Sequence, residues 1–209
     1  MTTNAEEQEL RDRLNLIETM IAEGRRTTES WGWMFVLWGL AYYIAIAWSA
    51  WGNHASQAWN ITMTGAMIVT FGTVAWRMSR RKQRLQPATH LGRAVIAVWI
   101  AVGLSFMVLL PSLGIGGRSN SNLVVAVIGT LLGTANAASS VILKWKLQFA
   151  CAVIWWALTV VSCLGTQLQS FVALLVANFL CQIVFGIYGM IAEARERRMY
   201  ERNQGASHA

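Results

Sequence analysis

Residues 31–51 read WGWMFVLWGLAYYIAIAWSAW, twenty-one residues without one charged side chain. A helix rising ~1.5 Å per residue over such a stretch covers the ~30 Å of hydrocarbon in a bilayer. Reading outwards, five further runs have the same character: Ala58–Met78, Arg93–Leu113, Leu123–Val141, Phe149–Gly165 with its flanks, and Phe171–Ile191. They explain why 55% of the 209 residues are hydrophobic and only 13% charged. The connecting segments, such as Gly52–Gln57 and Gly114–Ser121, are too short to fold alone. A membrane β-barrel is excluded, because its strands alternate apolar and polar residues over only ~9–11 positions. The sequence therefore predicts an all-α polytopic membrane protein, a bundle of six transmembrane helices preceded by a cytoplasmic amphipathic helix. Its parts are residues 1–30, the bundle over residues 31–192, and a cytoplasmic tail over residues 193–209.

Charge orients the spans. Arg11, Arg13, Arg25 and Arg26 precede the first run, and Arg77, Arg80, Arg81, Lys82, Arg84 and Arg93 fall between or at the edges of the second and third. Lys144 and Lys146 separate the fourth from the fifth, and Arg195, Arg197, Arg198 and Arg202 follow the sixth. If the chain crosses six times, sixteen of the seventeen basic residues lie on one side, Arg118 being the exception. The positive-inside rule makes that side the cytoplasm and puts both termini there. The net charge of +7 thus reads as a topology signal, and no nucleic-acid partner is expected. Anionic head groups are the other reading of the basic segment Arg77–Arg84. Residues 1–30 hold seven acids and no continuous apolar run, so an uncleaved signal anchor is expected in place of a signal peptide.

Within residues 1–30, Asn4 and Glu7 have capping-box spacing, and helix-forming residues follow to about Gly24. Leu10, Leu14, Ile17 and Ile21 recur at intervals of four, three and four, the narrow seam of a heptad pattern. Glu7 with Arg11 and Glu9 with Arg13 have the favoured order for pairing one turn apart. The acidic balance of this helix argues against lying on an anionic membrane, where Lys and Arg would be needed. Two readings remain: the seam binds a cytoplasmic protein or a second copy of the chain, or it packs against the inner ends of its own spans.

The six runs contain no Asp or Glu, and no Lys, Arg or His away from an end. Ion relays and charge-selective filters need ionisable groups at depth, and paired haem ligation needs histidines there. The histidines, His54, His90 and His208, all lie outside the runs. Acid–base and metal-assisted catalysis need clusters of His, Cys, Asp or Glu reached by water, and the sequence offers neither HExxH nor CxxC. No catalytic residue, metal site or cofactor is expected. Cys151, Cys163 and Cys181 read as apolar packing residues.

What the runs do hold is small and weakly polar. Gly129, Gly133 and Ala137 make a small-xxx-small stripe on the fourth run, which is expected to be the central span. Asn136 beside the stripe should bond to a neighbouring helix, with Asn178 and Gln182 of the sixth run as partners or as a second polar patch. Pro111 marks a kink or a helix end in the third run. Trp31, Trp33, Trp76 and Trp145 suit the inner interface and Trp48, Trp51 and Trp59 the outer. Trp38, Trp99, Trp155 and Trp156 fall deeper and read as packing.

The segment Leu16–Arg26, Leu37-Trp38-Gly39, the Gly-rich fourth run leading into Leu143-Lys144-Trp145-Lys146-Leu147, and Ile154-Trp155-Trp156 form a set with a likeness. The chain resembles small six-span bacterial membrane proteins to which no function is assigned. It departs from them at Gln148, where Pro would follow the cytoplasmic turn. The resemblance implies a bacterial cytoplasmic (inner) membrane and carries no functional residues. The function expected from the residues is that of an accessory, sensor or assembly component, working through protein contacts at its cytoplasmic face by way of Leu10, Leu14, Ile17 and Ile21. The alternative is a facilitative carrier or channel for a neutral or hydrophobic solute, lined by Asn136, Asn178 and Gln182.

Overall fold

The computed structural model of the chain describes residues 2–29, 31–51, 55–81, 90–115 and 120–207, and every regular element among them is helical. In chain order these are α1 (Thr2–Glu29), α2 (Gly32–Trp51), α3 (Ala55–Arg81), α4 (His90–Ile115), α5 (Ser121–Leu143), α6 (Lys146–Leu164), α7 (Gln167–Asn178) and α8 (Phe185–Ser207). A π-helical segment, Phe179–Val184, joins α7 to α8 without a break. Among the described residues, five helical stretches are long and apolar enough to cross a membrane: Gly32–Trp51, Gly92–Leu113, Ser121–Leu143, Lys146–Leu164 and Gln167–Arg195. The second expected span lies inside α3, which has the length but less apolarity. Asn60, Thr62, Thr64, Thr70 and Thr73 there dilute Ile61, Ile68, Val69 and Phe71.

Other boundaries differ from expectation for simple reasons. Helix α1 begins at Thr2, so Asn4 lies inside it instead of capping it, and it runs past Gly24 to Glu29. Helix α4 passes through Pro111 and ends a turn later at Ile115, so the proline does not itself end the helix. The charged residues after 192 continue α8 as far as Ser207, where a tail was expected.

The chain divides into two compact units. The first contains Met1–Thr28 and Ala88–Ser170. In it α5 and α6 pack as an antiparallel hairpin with α4 against α5. Half of the apolar window of α5 is buried, against 12% for Gly92–Leu113, so α5 is the central helix of its unit. Asn120 starts α5 by accepting the Asn122 N–H on its side chain at 3.0 Å. A Schellman turn ends it: Trp145 N–H donates to the Ser140 carbonyl at 2.9 Å and Lys144 N–H to that of Val141 at 3.4 Å. Lys144 takes the left-handed position of this turn with φ of 48°.

The second unit contains Glu29–Pro87 and Phe171–Ala209. Here α2 packs against α3 on one side and against the π segment and α8 on the other. Phe35 meets Phe185 edge to face at 5.3 Å, and Tyr42 meets Trp59 in the same manner at 5.8 Å.

Several hydroxyls along these helices are satisfied locally. Ser49 donates to the Ala45 carbonyl, Thr62 to Ala58, Thr73 to Val69, Ser105 to Ala101, Ser112 to Val108 and Thr134 to Thr130. Back-bonding of this kind removes the main cost of a hydroxyl where no water is present.

Candidate functional site

The α5–α6 face is built around missing side chains. A Cβ added at Gly129 would stand 2.6 Å from Thr159 Oγ1 and 2.9 Å from the Trp155 carbonyl oxygen. One at Gly133 would stand 2.6 Å from Nε1 of Trp156. The two glycines are therefore sockets for Thr159 and Trp156. The third member of the stripe, Ala137, is only half-buried. Thr159 Oγ1 donates to the Trp155 and Ala126 carbonyls at 3.2 and 3.4 Å and lies 3.3 Å from Thr130 Oγ1. Towards the other end, Asn122 Nδ2 reaches the Gly165 carbonyl at 3.4 Å, and Ser170 donates to Ser162 through buried hydroxyls 2.9 Å apart.

Asn136 is buried, but its Nδ2 donates at 2.8 Å to the Leu132 carbonyl of its own helix. The expected bond to a neighbouring helix is replaced by a closer one, since the carbonyl a turn earlier lies within reach of a short amide side chain. Asn178 behaves otherwise. It is equally buried, and its Nδ2 donates across to the Gly39 carbonyl of α2 at 3.1 Å. Gln182, buried in the π segment, lies one turn further on, and its Cβ would be 2.9 Å from a Cβ at Gly39. Tyr43 adds a second tie between the same elements, its hydroxyl donating to the Leu175 carbonyl at 2.7 Å.

Further along this contact Gly32 and Gly186 face each other. A Cβ on either would meet the carbonyl oxygen of the other, at 2.6 Å from Gly32 and 2.7 Å from Gly186. These glycines, with Gly39, escape sequence reasoning because each partner lies some 150 positions away; the one local sign is the seven-residue interval between Gly32 and Gly39. Gln148 is also a finding of the structure. It is fully buried in the first turn of α6, and neither of its amide atoms has a hydrogen-bond partner. Ser139 Oγ and Trp155 Nε1 are buried and unpartnered in the same unit. Each such group costs ~1–3 kcal/mol if nothing satisfies it.

Among the described residues, no three His, Cys, Asp or Glu side chains gather closely enough to hold a metal ion. The three cysteines are free, Cys151 and Cys181 buried and Cys163 exposed.

On α1, Leu10 is 63% exposed and Leu14 54%. The side chains of Ile17 and Ile21, which complete the expected seam, lie outside the described residues, although their backbone belongs to α1. The i,i+4 pairs form as their spacing predicts, Arg13 with Glu9 at 2.6 Å and Arg11 with Glu7 at 3.9 Å, both well exposed. Comparison of the chain with protein-family models, with curated proteins and with solved structures finds no match.

Proposed function

We propose that the chain is a six-crossing protein of the bacterial cytoplasmic membrane with both termini in the cytoplasm. On this reading it serves as an accessory, sensor or assembly component through protein contacts at its cytoplasmic face. The observation that carries the proposal is a set of exposed leucines on the charged helix α1. Leu10 and Leu14 stay more than half exposed, as does Leu16 off the seam, a surface whose solvent exposure a protein partner would relieve. Six crossings, with α3 as the second, are supported by the sixteen basic residues this gathers on one side. Back-bonded Thr62 and Thr73 also make α3 tolerable in lipid despite its polar composition. Native mass spectrometry of gently extracted protein tests the accessory role. A stoichiometric protein should accompany the full chain and disappear when residues 1–24 are deleted; a full chain without such company, or company unchanged by the deletion, would sink the idea. Reporter fusions at both ends test the topology, and a periplasmic signal from either terminus would refute it.

A second reading, facilitative passage of a neutral solute, draws on Gln182. It is a buried amide within a π-helical segment, and π turns inside helices occur frequently at functional sites. Saturable uptake into proteoliposomes that is lost in Gln182→Leu would favour this reading, and uptake equal to that of empty liposomes would remove it.

A further inference from the structure

We infer that the partner of the α1 seam is a second copy of the same chain, its α1 lying parallel and in register. The inference rests on the reading of α1 as a protein contact and names what it contacts. With Leu10 and Ile17 at d positions and Leu14 and Ile21 at a positions, Glu6 and Arg13 fall at g and Arg11 and Glu18 at e. In a parallel pair each g residue faces the e residue five positions later on the partner helix. Glu6 then faces Arg11 and Arg13 faces Glu18, and the two-fold symmetry makes four opposite-charge contacts with no like-charge one. An antiparallel pair centred on the same seam matches e with e, giving only the two Arg11–Glu18 contacts.

The charges that this arrangement uses are in place. Glu6, Arg11, Arg13 and Glu18 are all exposed beside the exposed Leu10 and Leu14. Arg13 pairs with Glu9 at 2.6 Å and Arg11 lies 3.9 Å from Glu7 along the same helix, and both arginines stay well exposed. Glu18 has Leu14 and Ala22 one turn to either side, so no intrahelical i,i+4 pair engages it. Geometry agrees with the charges. Two copies inserted the same way send their α1 helices out of the same face, and a two-fold axis along the membrane normal keeps them parallel when α1 projects along that axis. Two heptads are too few to hold a free peptide dimer, but confinement of both chains to one membrane raises the effective concentration of one seam at the other.

Disulfide cross-linking of the full-length protein in its own membrane tests this, in a Cys163→Ser background because Cys163 is the exposed native thiol. Leu14→Cys should give a cross-linked dimer, since equivalent a positions meet across a parallel seam, whereas Asp12→Cys on the opposite f position should not. In the Leu14→Cys protein, Glu18→Arg should lower the cross-linked fraction about tenfold by turning two exposed attractions into repulsions. Adding Arg13→Glu should restore it. No dimer at residue 14, equal dimer at residues 12 and 14, or a fraction indifferent to residue 18 would each overturn the proposal. Its failure is distinct from that of the accessory reading. If residue 14 fails to cross-link while a foreign protein still departs with residues 1–24, the parallel pair is overturned and the accessory role stands. If residue 14 cross-links and no foreign protein depends on residues 1–24, the pair stands and the accessory role falls.

Discussion

The α5–α6 hairpin and the α2–α8 crossing both depend on glycine, but the missing side chain makes room for different things. In the hairpin, Gly129 and Gly133 receive side chains, those of Thr159 and Trp156, and Gly129 also faces the Trp155 carbonyl. At the crossing, Gly32 and Gly186 receive each other's main chain. A side chain yields by changing rotamer, whereas a helix backbone yields only by moving the helix. The same substitution should therefore cost more at the crossing, and small-residue stripes that look alike in sequence differ in how much error they tolerate.

The largest effect is expected for Gly186→Leu, which puts a branched side chain against the Gly32 carbonyl and Val36. A loss of about 3 kcal/mol or more is expected, at the upper end for overpacking. Gly133→Leu should cost less, about 1–2 kcal/mol, because the obstructing group is a side chain, the ring of Trp156, which is 38% exposed. Denaturation in mixed micelles followed by tryptophan fluorescence measures both, and equal losses would break the distinction between sockets for side chains and sockets for backbone. The two buried asparagines sharpen the comparison at a smaller scale. Asn178→Leu removes a bond between helices and should cost about 0.6 kcal/mol, the average found for such bonds in membrane proteins. Asn136→Leu removes a bond within one helix and should cost less than that, since the Leu132 carbonyl keeps its main-chain partner. A larger loss at residue 136 than at residue 178 would show that Asn136 does more than satisfy itself.

These expectations mark where the sequence was readable. Continuous apolar runs announce five of the long helices, because hydropathy needs no knowledge of neighbours. The stripe at Gly129 and Gly133 is visible because a four-residue interval keeps both on one helical face. Gly32 and Gly186 are not visible as a pair, since the reason for each is the carbonyl of the other. The direction of the Asn136 amide is hidden for a different reason. Composition and spacing report that a buried amide needs a partner, but the choice between its own helix and the next is made by a side-chain rotation. The π segment is hidden too: Phe179–Val184 contains neither Gly nor Pro, and nothing in its own residues marks the widened turn that packs against α2. Of the site residues, the seam on α1 was legible as a pattern, and the structure adds that Leu10 and Leu14 are left uncovered.

The turn between α5 and α6 carries a consequence for how the sequence is free to vary. Lys144 is the non-glycine residue with positive φ among those described. A lysine held there costs on the order of 1 kcal/mol relative to glycine. A selection for heat resistance should thus recover Lys144→Gly before most changes in the interior. On the six-crossing reading, that change would leave Lys146 as the single basic residue between the fourth and fifth spans, and it would weaken the signal that keeps this loop from being translocated. Durability of the finished hairpin and accuracy of its insertion then favour different residues at one position. A population selected for one should drift away from the other.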